Sequence, residues 1–374
     1  LPGYPGFRAN NAVSTAISPD GSTLLVLTSG YNRLNGRDGK VDPAALSEFV
    51  FIYDISQGKP VKRQVLRVPN TFFGLVWRPD SAAFYVSGGM DDTVHVFERS
   101  AATWKESLPA TSLGHEKGLG LVTHPSLPSE ADRPIVAGLA VNPSGALLLA
   151  ANYQSDSVSL VDLAGRKKIA ELDLRPGKND PSKHGVPGGE FPFSIVWPTA
   201  ATAWVTSERD REIVELDLHD GLKIARRIAL PGQPSRAISD PTAKRLFVAL
   251  HSRDQVAVID APSGRILELI STTAPASLFR NPKGWKGSNP NGLALSPDER
   301  FLFVTNGGAN DLAVIALNTT AAPAPVPATR KDDGDDKDAQ PSGSRLLGLI
   351  PAGWYPTSVS VSHSGRTLYV SNSI

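Results

Sequence analysis

The chain has 374 residues, 40% of them hydrophobic, and its 38 Lys and Arg against 37 Asp and Glu leave a formal net charge of +1. That balance supplies no sustained basic field, so neither nucleic acid nor an anionic lipid surface is indicated as a partner. With no cysteine a disulfide framework, a thiolate nucleophile and a cysteine-ligated metal are excluded, and no run of about 18 apolar residues offers a membrane helix.

The 33 Gly and 31 Pro are spread along the chain and punctuate many turns, which implies many short strands. The turns recur as one unit. It first reads Ala16-Ile17-Ser18-Pro19-Asp20-Gly21 before the apolar run Leu24-Leu25-Val26-Leu27. It returns as Val76-Trp77-Arg78-Pro79-Asp80, Ala140-Val141-Asn142-Pro143-Ser144-Gly145 and Ala294-Leu295-Ser296-Pro297-Asp298, and in worn form around Pro198, Pro241 and His363. Proline presets φ at the first central position of a tight turn and Asp or Gly tolerates the conformation of the next positions, so each copy predicts a hairpin joining two strands. Third strands with β-branched alternation come next, such as Ser157-Val158-Ser159-Leu160-Val161-Asp162 and Gln255-Val256-Ala257-Val258-Ile259-Asp260, and then fourth strands such as Ile266-Leu267-Glu268-Leu269.

A four-stranded meander cannot bury both of its faces alone, so successive units must stack face to face. The expectation is an all-β chain, one β-propeller domain over residues 1–374, with seven blades of four-stranded antiparallel sheet. The seventh stops at Ile374 after two strands and is incomplete in this chain, which predicts a longer parent protein; a start at Leu1 without Met fits a trimmed or processed chain. Leu1 to Asn10, with two prolines, makes a poor edge strand.

Phe303-Val304-Thr305-Asn306 and Leu368-Tyr369-Val370-Ser371-Asn372, each following its Pro-turn unit, resemble the YVTN repeat. Ser29-Gly30-Tyr31-Asn32, Leu113-Gly114-His115 with Gly118-Leu119-Gly120, Gly188-Gly189-Glu190-Phe191-Pro192-Phe193 and Gly353-Trp354-Tyr355-Pro356-Thr357 resemble the YncE-like propeller that precedes an alkaline-phosphatase-type phosphoesterase domain in bacterial exported proteins. The resemblance implies a periplasmic or secreted setting and a non-catalytic ligand-binding or scaffolding module. Its partner is then its own downstream domain or another protein. Any divalent metal and the phosphoesterase residues belong to that downstream domain, so no catalytic residue and no cofactor are assigned to this chain. The alternative is a propeller lactonase similar to the 6-phosphogluconolactonase-like enzymes, in which rim His, Glu and Arg act as base and anion clamp.

Connections that enter first strands and leave second strands gather on one rim, where polar residues carry the functional reading. The expected ligand-binding set is Glu190, Arg236, His251, Asn289, Asn306, Trp354 and Tyr355, with Arg236 as the fixed charge for a small anionic ligand and Trp354 as a stacking wall. Asn70, Pro192, Gln233, Asn291, Asn152, Glu208 and Asn372 share that rim. The competing reading is that such residues satisfy backbone groups at strand ends.

Four insertions stand out: Gly30 to Ser47, Ser100 to Arg133, Pro176 to Glu190, and Asn318 to Ser344. The last holds a Pro-Ala tract and then Lys331-Asp332-Asp333-Gly334-Asp335-Asp336-Lys337-Asp338, a composition that predicts a disordered loop over 319–344. Asn32 to Asp42 has oxygen ligands near calcium-loop spacing but lacks the Glu at the twelfth position, which leaves an exposed turn as the plainer expectation. His115, His124 and His184 fall in long interblade loops without forming a metal pair, so metal ligands are assigned to none. His95, alternating with Val94 and Val96, is expected on an exposed strand face.

Overall fold

The computed structural model describes residues 8–30, 38–40, 48–115, 134–275, 286–318 and 343–373. Its contacts divide the chain into two compact units, one holding Leu1–Val186, Glu190–Pro192 and Ser373–Ile374 and the other Pro187–Gly189 and Phe193–Asn372.

The first unit contains three meanders. Blade 1 is β1 (Ala12–Ile17), β2 (Thr23–Thr28), β3 (Glu48–Asp54) and β4 (Val61–Val68). Blade 2 is β5 (Leu75–Trp77), β6 (Ala83–Ser87), β7 (Thr93–Ser100) and β8 (Thr103–Glu106), with β9 (Thr111–Ser112) also pairing β7. Blade 3 is β10 (Val136–Val141), β11 (Leu147–Asn152), β12 (Ser157–Asp162) and β13 (Lys167–Asp173). The fourth strand of blade 2 was hidden inside the stretch expected to be an insertion from Ser100. Leu25, Leu27, Val50 and Ile52 of blade 1 pack on Trp77, Phe84, Phe97 and Trp104 of blade 2, whose opposite face packs on Leu139, Leu148 and Val161 of blade 3. Gln64 of β4 ties the stack at its outer end, donating to Trp104 O and accepting from Trp104 N–H, each at 2.8 Å.

His95 is a correction to the sequence reading. It is 4% exposed, with Nδ1 2.6 Å from Glu106 Oε1. Strict alternation marks one wet face only when a sheet has one; a blade stacked on both sides has none, so the histidine is buried and takes a carboxylate partner.

After the α-helix α1 (Pro176–Asn179) and a 3-10 turn at Pro181–Lys183, the second unit holds three more meanders. Blade 4 is β14 (Pro192–Val196), β15 (Thr202–Ser207), β16 (Glu212–Asp217) and β17 (Lys223–Ala229), with Pro192 itself grouped in the first unit. Blade 5 is β18 (Pro234–Ser239), β19 (Arg245–Leu250), β20 (Gln255–Asp260) and β21 (Arg265–Ser271). Blade 6 is β22 (Pro290–Leu295), β23 (Phe301–Asn306), β24 (Asp311–Ala316) and β25 (Arg345–Pro351). A hairpin of β26 (Pro356–Val361) and β27 (Leu368–Asn372) comes last. The described residues therefore form six complete blades where seven had been expected, the last unit being two-stranded. Trp204, Ile213 and Ile228 pack against Leu246, Val248 and Ile259, and Val256, Val258 and Ile270 against Leu302, Val304 and Ile315.

The repeated turn works as its sequence requires. Ser18 Oγ donates to Asp20 Oδ1 at 2.5 Å and accepts Thr23 N–H at 2.9 Å, and Ser296 and Asp298 repeat the arrangement around Phe301. The residue after the Asp position is left-handed, which suits Gly21 (φ 74) and Gly145 (φ 75) but is also taken by Ser81 (φ 61) and Glu299 (φ 56).

A second repeat governs the ends of the blades that carry the expected site. The residue before each third strand is left-handed at Asp92, Asp156, Arg211, Asp254 and Asn310. Its carbonyl accepts an N–H from the residue that leaves the outermost strand, at Leu113, Leu174, Leu230, Thr272 and Ala352. Where it is Asp or Asn, its side chain also accepts an N–H from the loop that runs toward the next blade: His115 for Asp92, Phe191 for Asp156, Gly287 and Asn289 for Asp254, and Tyr355 for Asn310.

Candidate functional site

In the second unit the starts of β18, β22 and β26 and the ends of β19 and β23 bring the expected residues other than Glu190 to one edge of the blades. Asn289 and Tyr355 each precede a proline that opens a first strand, and both are left-handed, at φ 55 and φ 49. A bulky residue in that conformation is costly and needs support. Asp254 supplies it for Asn289 at 3.1 Å and Asn310 for Tyr355 at 2.8 Å. Asn289 Nδ2 then donates to Tyr355 Oη at 3.0 Å. The Tyr355 ring lies over Gly307, where an added Cβ would come within 2.8 Å of it, so any side chain at 307 would displace the ring. Trp354, one residue earlier, stays 66% exposed. The loop thus fixes one aromatic ring and offers the other to solvent.

On blade 5, His251 N–H donates to Gln233 O at 3.0 Å and its Nε2 lies 3.3 Å from Gln233 Oε1. Burial pushes the His251 imidazole below its ordinary value. An amide partner brings no charge to offset that desolvation, so this histidine is neutral at neutral pH.

Arg236 sits three residues beyond Gln233. By register it matches Ser14, Gly138, Gly292 and Ser358, all small. The reason for small residues is visible at Gly292, where a Cβ would come within 3.0 Å of Ser358 Cα and 3.2 Å of Thr357 O. Arg236 is also the one charged residue on the first strands of the blades, among those described. Burial pushes its guanidinium down to about 9, still protonated at neutral pH. Arg236 is half-buried near the start of its strand, where its guanidinium can pair with an anion that reaches it.

Two expected residues are engaged otherwise. Asn306 is fully buried and its Nδ2 donates to Thr272 O at 3.0 Å and to Asp311 Oδ1 at 2.7 Å, so it serves the strand ends. Glu190 belongs to the first unit, where it adds negative charge around Asp156 and Arg175. Burial pushes the Asp156 carboxyl up to about 6, although it accepts Phe191 N–H at 3.0 Å. Arg175 holds Asp173 through Nε at 3.0 Å and Nη2 at 2.6 Å. Phe191 stacks on Tyr153 with ring centroids 4.9 Å apart, and Tyr153 meets Phe72 at 5.7 Å.

The strongest polar centre of the first unit was not anticipated. His115 lies between blades 2 and 3, with Nδ1 2.6 Å from Asp92 Oδ1 and Nε2 2.8 Å from Glu171 Oε1. Burial alone would lower its pKa, but the hydrogen bonds to Asp92 and Glu171 push it up to about 9. Glu171, which burial would raise, is held at about 2 by His115, Lys168 and Ser157. The arrangement is a closed ionic staple that leaves no lone pair on the imidazole for chemistry. Its sequence signal was the Asp at the position just before a third strand, shared by Asp156 and Asp254. Among the described residues no group of three or more His, Asp or Glu is gathered to hold a metal, and no helix is long and apolar enough to cross a membrane. His124, Gly118 to Gly120 and the 319–342 stretch lie outside the described residues, as does the proposed calcium loop apart from Asp38–Lys40.

No family model and no curated protein matches the sequence. Solved structures do match in fold. Hydrazine synthase of Kuenenia stuttgartiensis aligns at TM-score 0.67 with 15% identity, over 98% of this chain and 94% of that one. A protein from Lactobacillus plantarum aligns at 0.65 with 14% identity, over 94% and 88%. The periplasmic gluconolactonase of Pseudomonas aeruginosa aligns at 0.61 with 16% identity, over 98% and 90%. Stacked antiparallel meanders with these neighbours define an all-β propeller. At such identities the likeness carries the fold and leaves the chemistry to the residues.

Proposed function

We propose that the chain is a non-catalytic, YncE-like binding propeller that holds a small anionic ligand at Arg236, with Tyr355 and Trp354 as candidate stacking surfaces on the same edge of the blades. One observation carries the reading: a single half-buried arginine stands where the matching first-strand positions are Ser or Gly. Left-handed backbone at Asn289 and Tyr355 on the same edge is the kind of strain that a binding site costs a fold. The seven-blade count, a periplasmic or secreted setting and a place beside a phosphoesterase domain belong to this proposal through the repeat resemblance.

The test is a melting-temperature panel with inorganic phosphate, gluconate and uncharged glucose. The anions raise the melting temperature of the wild type, glucose does not, and Arg236→Gln abolishes the rise. A shift that survives in Arg236→Gln contradicts the proposal.

The lactonase reading has one point in its favour, the fold shared with the Pseudomonas aeruginosa gluconolactonase. It needs a base, and His251 tied to an amide is a weak one. Turnover of glucono-lactone that is lost in His251→Ala would favour it over the binding module.

A further inference from the structure

Three aromatic rings of the first unit lie together where β5 and β14 begin and β11 ends. Phe191 stacks nearly parallel on Tyr153, at an interplanar angle of 13°, and Phe72 meets Tyr153 at 58°. All three are half-buried, and they stand apart from the cores packed between blades 1 and 2 and between blades 2 and 3. The second unit shows what the same positions require. Phe191 matches Tyr355: each is left-handed, precedes the proline that opens a first strand, and donates its N–H to the Asp or Asn before a third strand. Tyr153 matches Gly307: each follows the Asn that ends a second strand and donates its N–H to the carbonyl of the residue before its blade's first strand, Ile135 at 2.8 Å and Asn289 at 3.1 Å. Blade 6 makes this turn with no side chain at 307, so the ring at 153 is not a demand of the fold.

The charge beside the rings is negative. Asp156 Oδ1 accepts Phe191 N–H at 3.0 Å, and its Oδ2 lies 3.7 Å from Arg175 Nη1. Arg175 is bound more closely to Asp173, and Glu190, next to Phe191 in the chain, adds a third carboxylate. Three carboxylates thus share one guanidinium, and burial, with repulsion from Glu190 and Asp173, pushes the Asp156 carboxyl up to about 6. A second cation would offset that repulsion. The face of an aromatic ring carries the negative part of its quadrupole and attracts a cation within about 6 Å, more strongly the less water that cation keeps. Ring surface with excess negative charge therefore selects an ammonium group on a carbon body over a sugar, which brings no charge, and over an anion, which the carboxylates repel.

We propose that Phe72, Tyr153 and Phe191, backed by Asp156 and Glu190, form a binding site for an organic ammonium ion, the rings taking its apolar body and the carboxylates its charge. Arg175 holds Asp173 and shares Asp156, and so sets how much negative charge is left for the ligand. This inference does not rest on Arg236, which belongs to the second unit and for which a ligand of the opposite charge is proposed.

The test is titration calorimetry of the full chain at low salt with choline and with 3,3-dimethyl-1-butanol, its uncharged isostere. Choline binds, the alcohol binds at least about tenfold more weakly, and Phe191→Leu lowers the affinity for choline about tenfold. Asp156→Asn keeps the acceptor for Phe191 N–H and removes the charge, and it lowers choline affinity roughly three- to tenfold. That second variant decides the matter should Phe191→Leu fail to fold. No heat with choline at millimolar concentration, equal affinity for the uncharged alcohol, or choline binding unaltered in either folded variant overturns the proposal.

Discussion

Two histidines of this chain lose water on folding and respond in opposite directions. His115 stands between two carboxylates and is pushed up to about 9, while His251 faces the amide of Gln233 and is pushed down. Burial acts downward on both; the partner decides the outcome. Where the fold needed strength it closed a set of opposite charges, Asp92 and Glu171 against His115 and Lys168. On the edge of blade 5 it left a neutral imidazole and, three residues past the Gln233 to which that imidazole bonds, a half-buried arginine. The contrast separates a cluster of opposite charges between blades 2 and 3 from the edge on which an anion site is proposed.

Removing His115 should give the largest effect. His115→Ala leaves two carboxylates buried on one ammonium, and stability measured by urea unfolding should fall by roughly 3 kcal/mol; a loss under 1 kcal/mol would make the staple ornamental. The same group sets a pH dependence. Its folded pKa of about 9 lies above the ordinary 6.5, so its contribution is complete below pH 6.5 and is lost as pH rises through 9. Glu171, at about 2 against 4.5, contributes above pH 4.5 and loses that contribution as pH falls toward 2. His115→Gln should flatten the alkaline limb of a stability profile and leave the acid limb of other carboxylates in place.

Asp156 is the opposite case among carboxylates. Its pKa of about 6 lies above the ordinary 3.8, so its contribution is present below pH 3.8 and is lost as pH rises through 6. Asp156→Asn keeps the acceptor for Phe191 N–H, as Asn310 does for Tyr355, and should raise stability at pH 7 by roughly 1–3 kcal/mol. A destabilised Asp156→Asn would show that Arg175 depends on this carboxylate more than its geometry with Asp173 suggests. His251→Ala should cost the least, about 0.5–1 kcal/mol for one long amide contact, with no change in any anion-induced stabilisation.

Much of the architecture was legible because a tight turn has strict chemistry. Ser18-Pro19-Asp20 and its copies announce a hairpin each time, and the third strands carry their alternation openly. The fourth strand of blade 2 was not legible, since Thr103 to Glu106 is short and polar and is recognised only through its pairing with β7. His95 was misread because alternation does not report how many faces of a sheet are covered. For the candidate site, strand-end positions singled out Asn289, Tyr355 and Arg236 as expectations. They could not separate them from Asn306, whose amide nitrogen is taken up by Thr272 and Asp311, because that distinction lies in hydrogen bonds beyond the strand itself. The Asp and Asn residues that pin the loops, Asp92, Asp156, Asp254 and Asn310, stand at one fixed place before a third strand, a pattern that is obvious only once the strands are aligned by register.

The claim that this propeller binds an anion at Arg236 is tested most directly by titration calorimetry of the wild type and Arg236→Gln with inorganic phosphate and gluconate at low salt. The account predicts that one of these anions binds the wild type, with an affinity that falls as salt rises and drops at least about tenfold in Arg236→Gln. Equal affinity in the two proteins, or no heat with either anion, would contradict it.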